Sequence, residues 1–140
     1  MSFNLPEEDV EFLEGLGIKY ELLAEAMPNG TVRHGVFLPG FVFAGNLGTQ
    51  KDGAVVPCGS CDLVILIPDG YATTKLDSFY TLPRLKRADG ADPHCANGES
   101  ALFGKTWQFW SRHLDDKDWR VGIDGLRTFF HYVRTELRSA

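Results

Sequence analysis

The segment Trp107-Gln108-Phe109-Trp110-Ser111-Arg112-His113 places a nucleophile, a cation and a candidate base within three residues of one another. A serine hydroxyl is a poor nucleophile until a neighbouring base takes its proton. His113 can do this where the backbone is extended, since residues i and i+2 then share a face, whereas in a helix they diverge. Phe103, Trp107, Trp110 and Leu114 also fit helical spacing, so the sequence leaves both conformations open. The bland alternative for Trp107 and Trp119 is that they belong to the core. Cys58-Gly59-Ser60-Cys61 has the spacing of a redox dithiol or half a zinc site. Redox pairs gain thiolate character at a helix N-terminus after a strand, and this pair precedes a strand. Zinc needs four ligands, and only His94 and Cys95, in a separate stretch, offer to complete the set. Plain loop cysteines are the better reading. There is no G-x-S-x-G, H-E-x-x-H or G-x-x-x-x-G-K-[ST] pattern, so hydrolase, zinc-protease and nucleotide-binding readings lose their main support.

Composition bounds the rest. The 140 residues are 44% hydrophobic, 24% charged and 12% aromatic, which predicts one globular domain over residues 1–140 and excludes a disordered chain. A net charge of −5 removes the electrostatic term that dominates nonspecific nucleic-acid binding. No apolar run approaches the ~18 residues that cross a bilayer, and Met1-Ser2-Phe3-Asn4 opens no signal peptide. Three cysteines, in a chain of a size that needs no disulfides, fit a reducing cytoplasm. The expectation is a cytoplasmic protein with no nucleic acid, membrane, cofactor or metal among its partners. Residues 1–70 carry three Lys/Arg against ten Asp/Glu, and residues 71–140 carry eleven against nine. A solvated acidic helix beside a mildly basic face accounts for this; a surface polarised to orient a protein partner is the functional alternative.

The elements that must position these groups follow from periodicity and punctuation. Pro6, the acidic Glu7, Glu8 and Asp9, and an apolar stripe of Val10, Phe12, Leu13 and Leu16 predict a short helix ended by Gly15 or Gly17. Residues 18–22 and 31–37 read as strands around a Pro28-Asn29-Gly30 turn, and residues 41–43 extend or follow the second of them. Glycine-punctuated residues 45–60 read as loop. Leu63-Val64-Ile65-Leu66-Ile67 is too short for a helix and predicts a central strand buried on both faces. Residues 78–82 form the next strand, stopped by Pro83, and residues 84–100 a long polar loop of the kind usually reserved for function. Asp124 is positioned to cap a final helix in which Leu126, Phe129, Phe130, Val133 and Leu137 recur at helical spacing. Helix, antiparallel strands, long loop, aromatic segment and helix make an α+β fold.

With these residues in place, the chain resembles the ubiquitin-conjugating (UBC-fold) superfamily, specifically its prokaryotic family E. The resemblance rests on residues 63–68 with Asp69-Gly70-Tyr71, on residues 78–83, on the W-S-R-H of Trp110 to His113, on Trp119-Arg120-Val121-Gly122-Ile123-Asp124, and on the closing helix. It implies a UBC-like fold: an N-terminal helix, an antiparallel meander of about four strands, a long active-site loop and a C-terminal helix. In conjugating enzymes a cysteine accepts the C terminus of a ubiquitin-like protein as a thioester; counting back eight residues from Trp119, the equivalent position is Ser111. The resemblance then implies one of two things. Ser111 carries the acyl group as an oxyester, or the chain is an inactive UBC-like module that binds a ubiquitin-like protein or its activating enzyme. Transfer from thioester to alcohol runs downhill, but the oxyester is less reactive, so positioning and oxyanion stabilisation must contribute more. On the first reading Ser111 is the acceptor, His113 the base or orienting group, and Arg112 an oxyanion or tail contact, with Trp110 and Trp119 framing the site. Pro93-His94-Cys95-Ala96-Asn97-Gly98 is a displaced counterpart of the superfamily's His-Pro-Asn motif. It makes Asn97 an oxyanion candidate and Cys95 an alternative acceptor. The implied partners are a ubiquitin-like protein, a ThiF-type activating enzyme and a JAB-type peptidase of the same bacterial pathway.

Overall fold

The computed structural model describes residues 3–71 and 73–140; Met1, Ser2 and Ala72, the first two of them part of the opening tetrapeptide, lie outside the described residues. Helix α1 (Glu7–Leu16) begins after Pro6 with Glu7, Glu8 and Asp9 in its first turn, where carboxylates favour the positive end of the helix dipole. Gly17 ends it at φ 66°, a left-handed conformation glycine adopts without steric cost. Leu13 is fully buried, but Leu16, expected on the same apolar stripe, is 43% exposed.

The chain continues through β1 (Glu21–Ala26), β2 (Val32–Val42), β3 (Gly48–Lys51), β4 (Ala54–Pro57), β5 (Ser60–Ile67), β6 (Phe79–Leu82), β7 (Gly98–Leu102) and β8 (Lys105–Trp110), and ends in α2 (Leu126–Ser139). Six strands form one antiparallel sheet in the order β1-β2-β5-β6-β8-β7, and β3 and β4 form a separate hairpin. The sheet has six strands where about four were expected, with β8 and β7 continuing past β6. Residues 45–60, read as loop, hold the β3–β4 hairpin. It turns at Asp52 (φ 49°) and Gly53 (φ 82°), an Asp-Gly pair suited to the left-handed positions of a two-residue hairpin turn. Residues 41 and 42 extend β2 beyond a register shift between Leu38 and Phe41.

Both faces of the sheet are covered. Leu63 and Ile65 of β5 join Val36, Phe79, Phe129 and Phe130 in the main core under the helices. Val64 faces the other way, into a second cluster with Tyr80, Leu102 and Trp107. That second cluster is closed because the sheet curls. The Phe103 backbone N–H at the β7–β8 turn donates to Glu25 Oε1 of β1 at 3.2 Å, and Arg33 of β2 donates to the Ala101 carbonyl at 3.2 Å. Arg33 also pairs with Glu25, which holds the Glu25 carboxyl below its usual range.

Helix α2 is buried along Leu126, Phe129, Phe130, Val133 and Leu137, as its spacing predicts. Its cap differs from expectation. The helix starts at Leu126 with Gly125 before it, and Asp124 does not cap its amides. The Leu126 N–H donates instead to Asp9 Oδ1 of α1 at 3.0 Å. A Cβ at position 125 would lie 2.5 Å from that oxygen, so only glycine lets the two helices approach this way. The Tyr71 hydroxyl donates to the other Asp9 oxygen, and burial, then this bond, pushes the Tyr71 pKa upward. Asp9 is 5% exposed, so its truncation leaves two buried donors bare. Asp9→Ala is expected to cost about 2 kcal/mol, read as a lowered urea midpoint with an unchanged slope.

Candidate active site

Residues 105–110 are a strand, which resolves the ambiguity of the aromatic segment. Alternation sends Trp107 to the outer cluster and Trp110 to the main core, where Trp110 stacks on Phe79 with centroids 5.3 Å apart. Gln108 is 2% exposed, and its amide is fully bonded. Its Oε1 accepts from the Thr81 hydroxyl at 2.9 Å and the Leu85 N–H at 2.7 Å. Its Nε2 donates to the carbonyls of Leu85 at 3.0 Å and Ala96 at 2.9 Å. The same Thr81 hydroxyl accepts from the Trp110 indole at 2.8 Å. Gln108 thereby ties the long connection after β6 to β8. Arg84 holds that connection from outside, pairing with Asp92 at 2.9 Å and reaching the carbonyls of Ala96 and Asn97.

Ser111 follows β8 directly and is half-buried. Its backbone N–H donates to the Cys95 carbonyl at 2.8 Å, so the two candidate acceptors belong to adjoining backbone. Cys95 is an exposed free cysteine at φ 57°, and Asn97 is exposed. His113 is exposed, and its Nδ1 lies 2.9 Å from Asp77 Oδ1. The hydrogen bonds among the described residues include none from the Ser111 hydroxyl to His113. Arg112 donates to the carbonyls of His94 at 3.0 Å and Glu136 at 3.2 Å, with its guanidinium 5.0 Å from the Trp110 ring centroid. Arg112 thus joins the 93–97 loop to helix α2.

The stretch beyond His113 is clamped from the β5–β6 connection. Lys75 bonds the Leu114 carbonyl and pairs with Asp116 at 2.9 Å, and the pairing raises the Lys75 pKa and lowers that of Asp116. After a 3-10 turn (Asp116–Asp118), Trp119 is buried, its ring 6.3 Å from that of Tyr71. Asp124 accepts from the Arg120 side chain and N–H and from Thr128 Oγ1, which holds its carboxyl well below the usual range.

The structure thus brings Ser111 and Arg112 against the loop that carries Cys95 and Asn97, while His113 bonds Asp77 on the β5–β6 connection and Trp119 lies further along the chain. Cys58 and Cys61 lie elsewhere, at the start of β5. Burial pushes the Cys61 thiol up to about 12, and raises that of Cys58 as well; protonated thiols are neither nucleophiles nor metal ligands. Among the described residues, no group of three or more His, Cys, Asp or Glu is arranged to hold a metal ion. No helix of the described residues is long and apolar enough to cross a membrane. Sequence reasoning missed Gln108, whose place between two tryptophans was the available signal of a buried polar group. It also missed Asp77, thirty-six residues from His113 and without a local signal.

A curled antiparallel sheet with one helix before it and one after is consistent with an E2-like fold. Residues 5–140 match a family model described as Prokaryotic E2 family E, and the chain belongs to that family. Membership ties it to ubiquitin-like conjugation at that general level. No curated protein and no solved structure matches the chain.

Two outcomes follow for the scaffold. Gln108→Leu strands the Leu85 N–H and two carbonyls, and is expected to destabilise the fold by about 3 kcal/mol in urea unfolding. Asp124→Asn is expected to lower stability at pH 7. Because the native carboxyl titrates below its unfolded value of about 3.9, the difference between wild type and variant shrinks as pH falls below that value. Unfolding midpoints measured from pH 7 to pH 2 check this.

Proposed function

We propose that the chain accepts the activated C-terminal carboxyl of a ubiquitin-like protein from a ThiF-type activating enzyme as an oxyester on Ser111, and passes it to an amine of a target. The observation that carries this reading is the bond between His113 Nδ1 and Asp77. An Nδ1–H held by a carboxylate leaves Nε2 as the basic nitrogen, two residues from a serine hydroxyl that makes no hydrogen bond among the described residues; a base with its orienter is what activates a serine. In the first step the Ser111 oxygen attacks the thioester carbonyl. Its proton passes through His113 to the departing thiolate, a C–O bond forms and the C–S bond breaks. In the second step the target amine attacks the ester, a C–N bond forms, the ester C–O bond to Ser111 breaks, and the proton lost by the amine passes through His113 to the departing Ser111 oxygen. Asn97 is the side chain assigned to the oxyanion. Arg112 supports the loop beside it through the His94 carbonyl. A JAB-type peptidase is the partner that would reverse the modification.

The missing direct bond between Ser111 and His113 favours one other reading, a binding module for the ubiquitin-like protein or its activating enzyme. Charging with the ubiquitin-like protein, activating enzyme and ATP, followed by intact mass, separates them. The expected adduct resists reductant, yields to hydroxide and disappears in Ser111→Ala while surviving in Cys95→Ala. Loss in Cys95→Ala alone moves the acceptor to the loop cysteine. No adduct from a charged activating enzyme leaves the binding module. Asp77→Asn is expected to slow adduct formation by about 10²- to 10⁴-fold and to shift its pH profile.

A further inference from the structure

Helix α1 shows solvent a row of carboxylates. Glu7, Glu8, Glu11 and Glu14 are exposed, and none of them makes an ion pair among the described residues. Past Gly17 the character of the surface reverses. Ile18, Lys19, Leu38, Pro39, Val42 and Arg134 line a groove of about 420 Å³ between the end of α1, the end of β2 and α2. Its lining carries two cations and no carboxylate, and neither cation has an ion-pair partner among the described residues. Arg134 lies instead over the rings of Phe41 and Phe130, 4.6 and 5.8 Å from their centroids, with its Nε 3.4 Å from the Val42 carbonyl. Leu16 and Ile18, which fall between Glu14 and Lys19 in the chain, are 43% and 37% exposed, and Val42 is 66% exposed. Apolar surface of this kind, rimmed by charge, marks a site of contact with another molecule.

The order of the charges narrows the choice of occupant. An anionic membrane or a purely acidic peptide would be drawn to Lys19 and Arg134 and repelled by the α1 carboxylates beside them. A purely basic partner would meet the reverse. The surface is complementary to one that presents the same three parts in the opposite order: cations, apolar residues, carboxylates. A two-fold rotation about an axis through the Leu16 to Ile18 segment generates that order from a second copy of the chain, the self-complementary contact typical of symmetric dimers. The apolar residues of both copies then meet at the axis, and the charges fall on the rim, as in stable protein interfaces.

We propose that the chain pairs with a second copy of itself through this surface, with Leu16, Ile18 and Val42 of the two copies meeting at a two-fold axis and Glu14 of each copy facing Lys19 and Arg134 of the other. The pairing does not depend on the assignment of Ser111. Sedimentation velocity of the full chain, from micromolar to millimolar concentration, is expected to show a monomer–dimer equilibrium. It weakens with added salt, because the pairs at the rim are exposed and screened. Lys19→Glu sets like charges opposite each other in both halves of the contact, and Glu14→Lys does the same with the opposite sign. Each is expected to weaken dimerisation about tenfold. Mixing the two variants restores both attractive pairs in a heterodimer, so the mixture is expected to associate about as tightly as the wild type although neither variant does so alone. A substitution that merely damaged the fold would show no such recovery. A monomer at every concentration overturns the proposal and leaves the groove to a different partner. A dimer indifferent to salt and to both substitutions overturns it as well, since the contact then lies on another face. Weakening by each variant without recovery in the mixture overturns the facing of Glu14 and Lys19.

Discussion

A buried primary amide must place two donors and two acceptor lone pairs, or forfeit about 1–3 kcal/mol for each group stranded beside it. Gln108 places all four, between Thr81 on β6 and the backbone of Leu85 and Ala96. Its position on β8 is therefore also an anchor of a long connection that is otherwise held by a backbone bridge between Gly48 and Lys86 and by ion pairs around Arg84. Because Ala96 is fixed, the neighbouring Cys95 carbonyl is fixed, and Ser111 takes its backbone bond from that carbonyl. The candidate acceptor is held in place by an interaction three residues away that never touches it. Arg112 braces the same loop from α2, so the site belongs to the sheet, the loop and the last helix together.

The sheet has a second dependency. A strand order in which β8 and β7 continue past β6 gives the β7–β8 turn enough reach to meet β1 and β2, and the sheet closes over its own outer face. That closure makes β5 a strand with two dry faces, and it buries Tyr80 while leaving Arg33 half-buried at the rim. The helices account for one core and the curl of the sheet for the other.

Local pattern carried much of this into the sequence. The two helices, β5 and β6 were legible because each declares itself through spacing and punctuation within a dozen residues or so. What escaped was set by distance along the chain. The Asp52-Gly53 hairpin was hidden among glycines that also read as loop, β7 begins inside residues 84–100 that read as a long polar loop, and β8 lay in a stretch whose aromatic spacing fits a helix until the partner strand β6 is known. Asp124 has the residue type and position of a helix cap, yet Arg120 and Thr128 claim its oxygens and Asp9 supplies the cap from 117 residues away. At the site, Ser111, Arg112 and His113 were readable because they are adjacent. Asp77 was not, since only the fold brings it to His113. Membership of the E2-like family agrees with the residues that carried the resemblance, while the choice between Ser111 and Cys95 is one of chemistry.

The tip of the β7–β8 turn has a consequence for how such a chain can vary by descent. A methyl group at Gly35 would sit 2.9 Å from two ring carbons of Phe103, and Phe103 itself holds the left-handed φ of 50° with Arg33 stacked 5.7 Å from its ring centroid. Ring and gap are two halves of one fit. With a large ring at 103, a side chain at position 35 would have to push the end of that ring aside. Where the ring has been lost, position 35 is free to drift, and the two positions should be inherited as a pair although sixty-eight residues separate them.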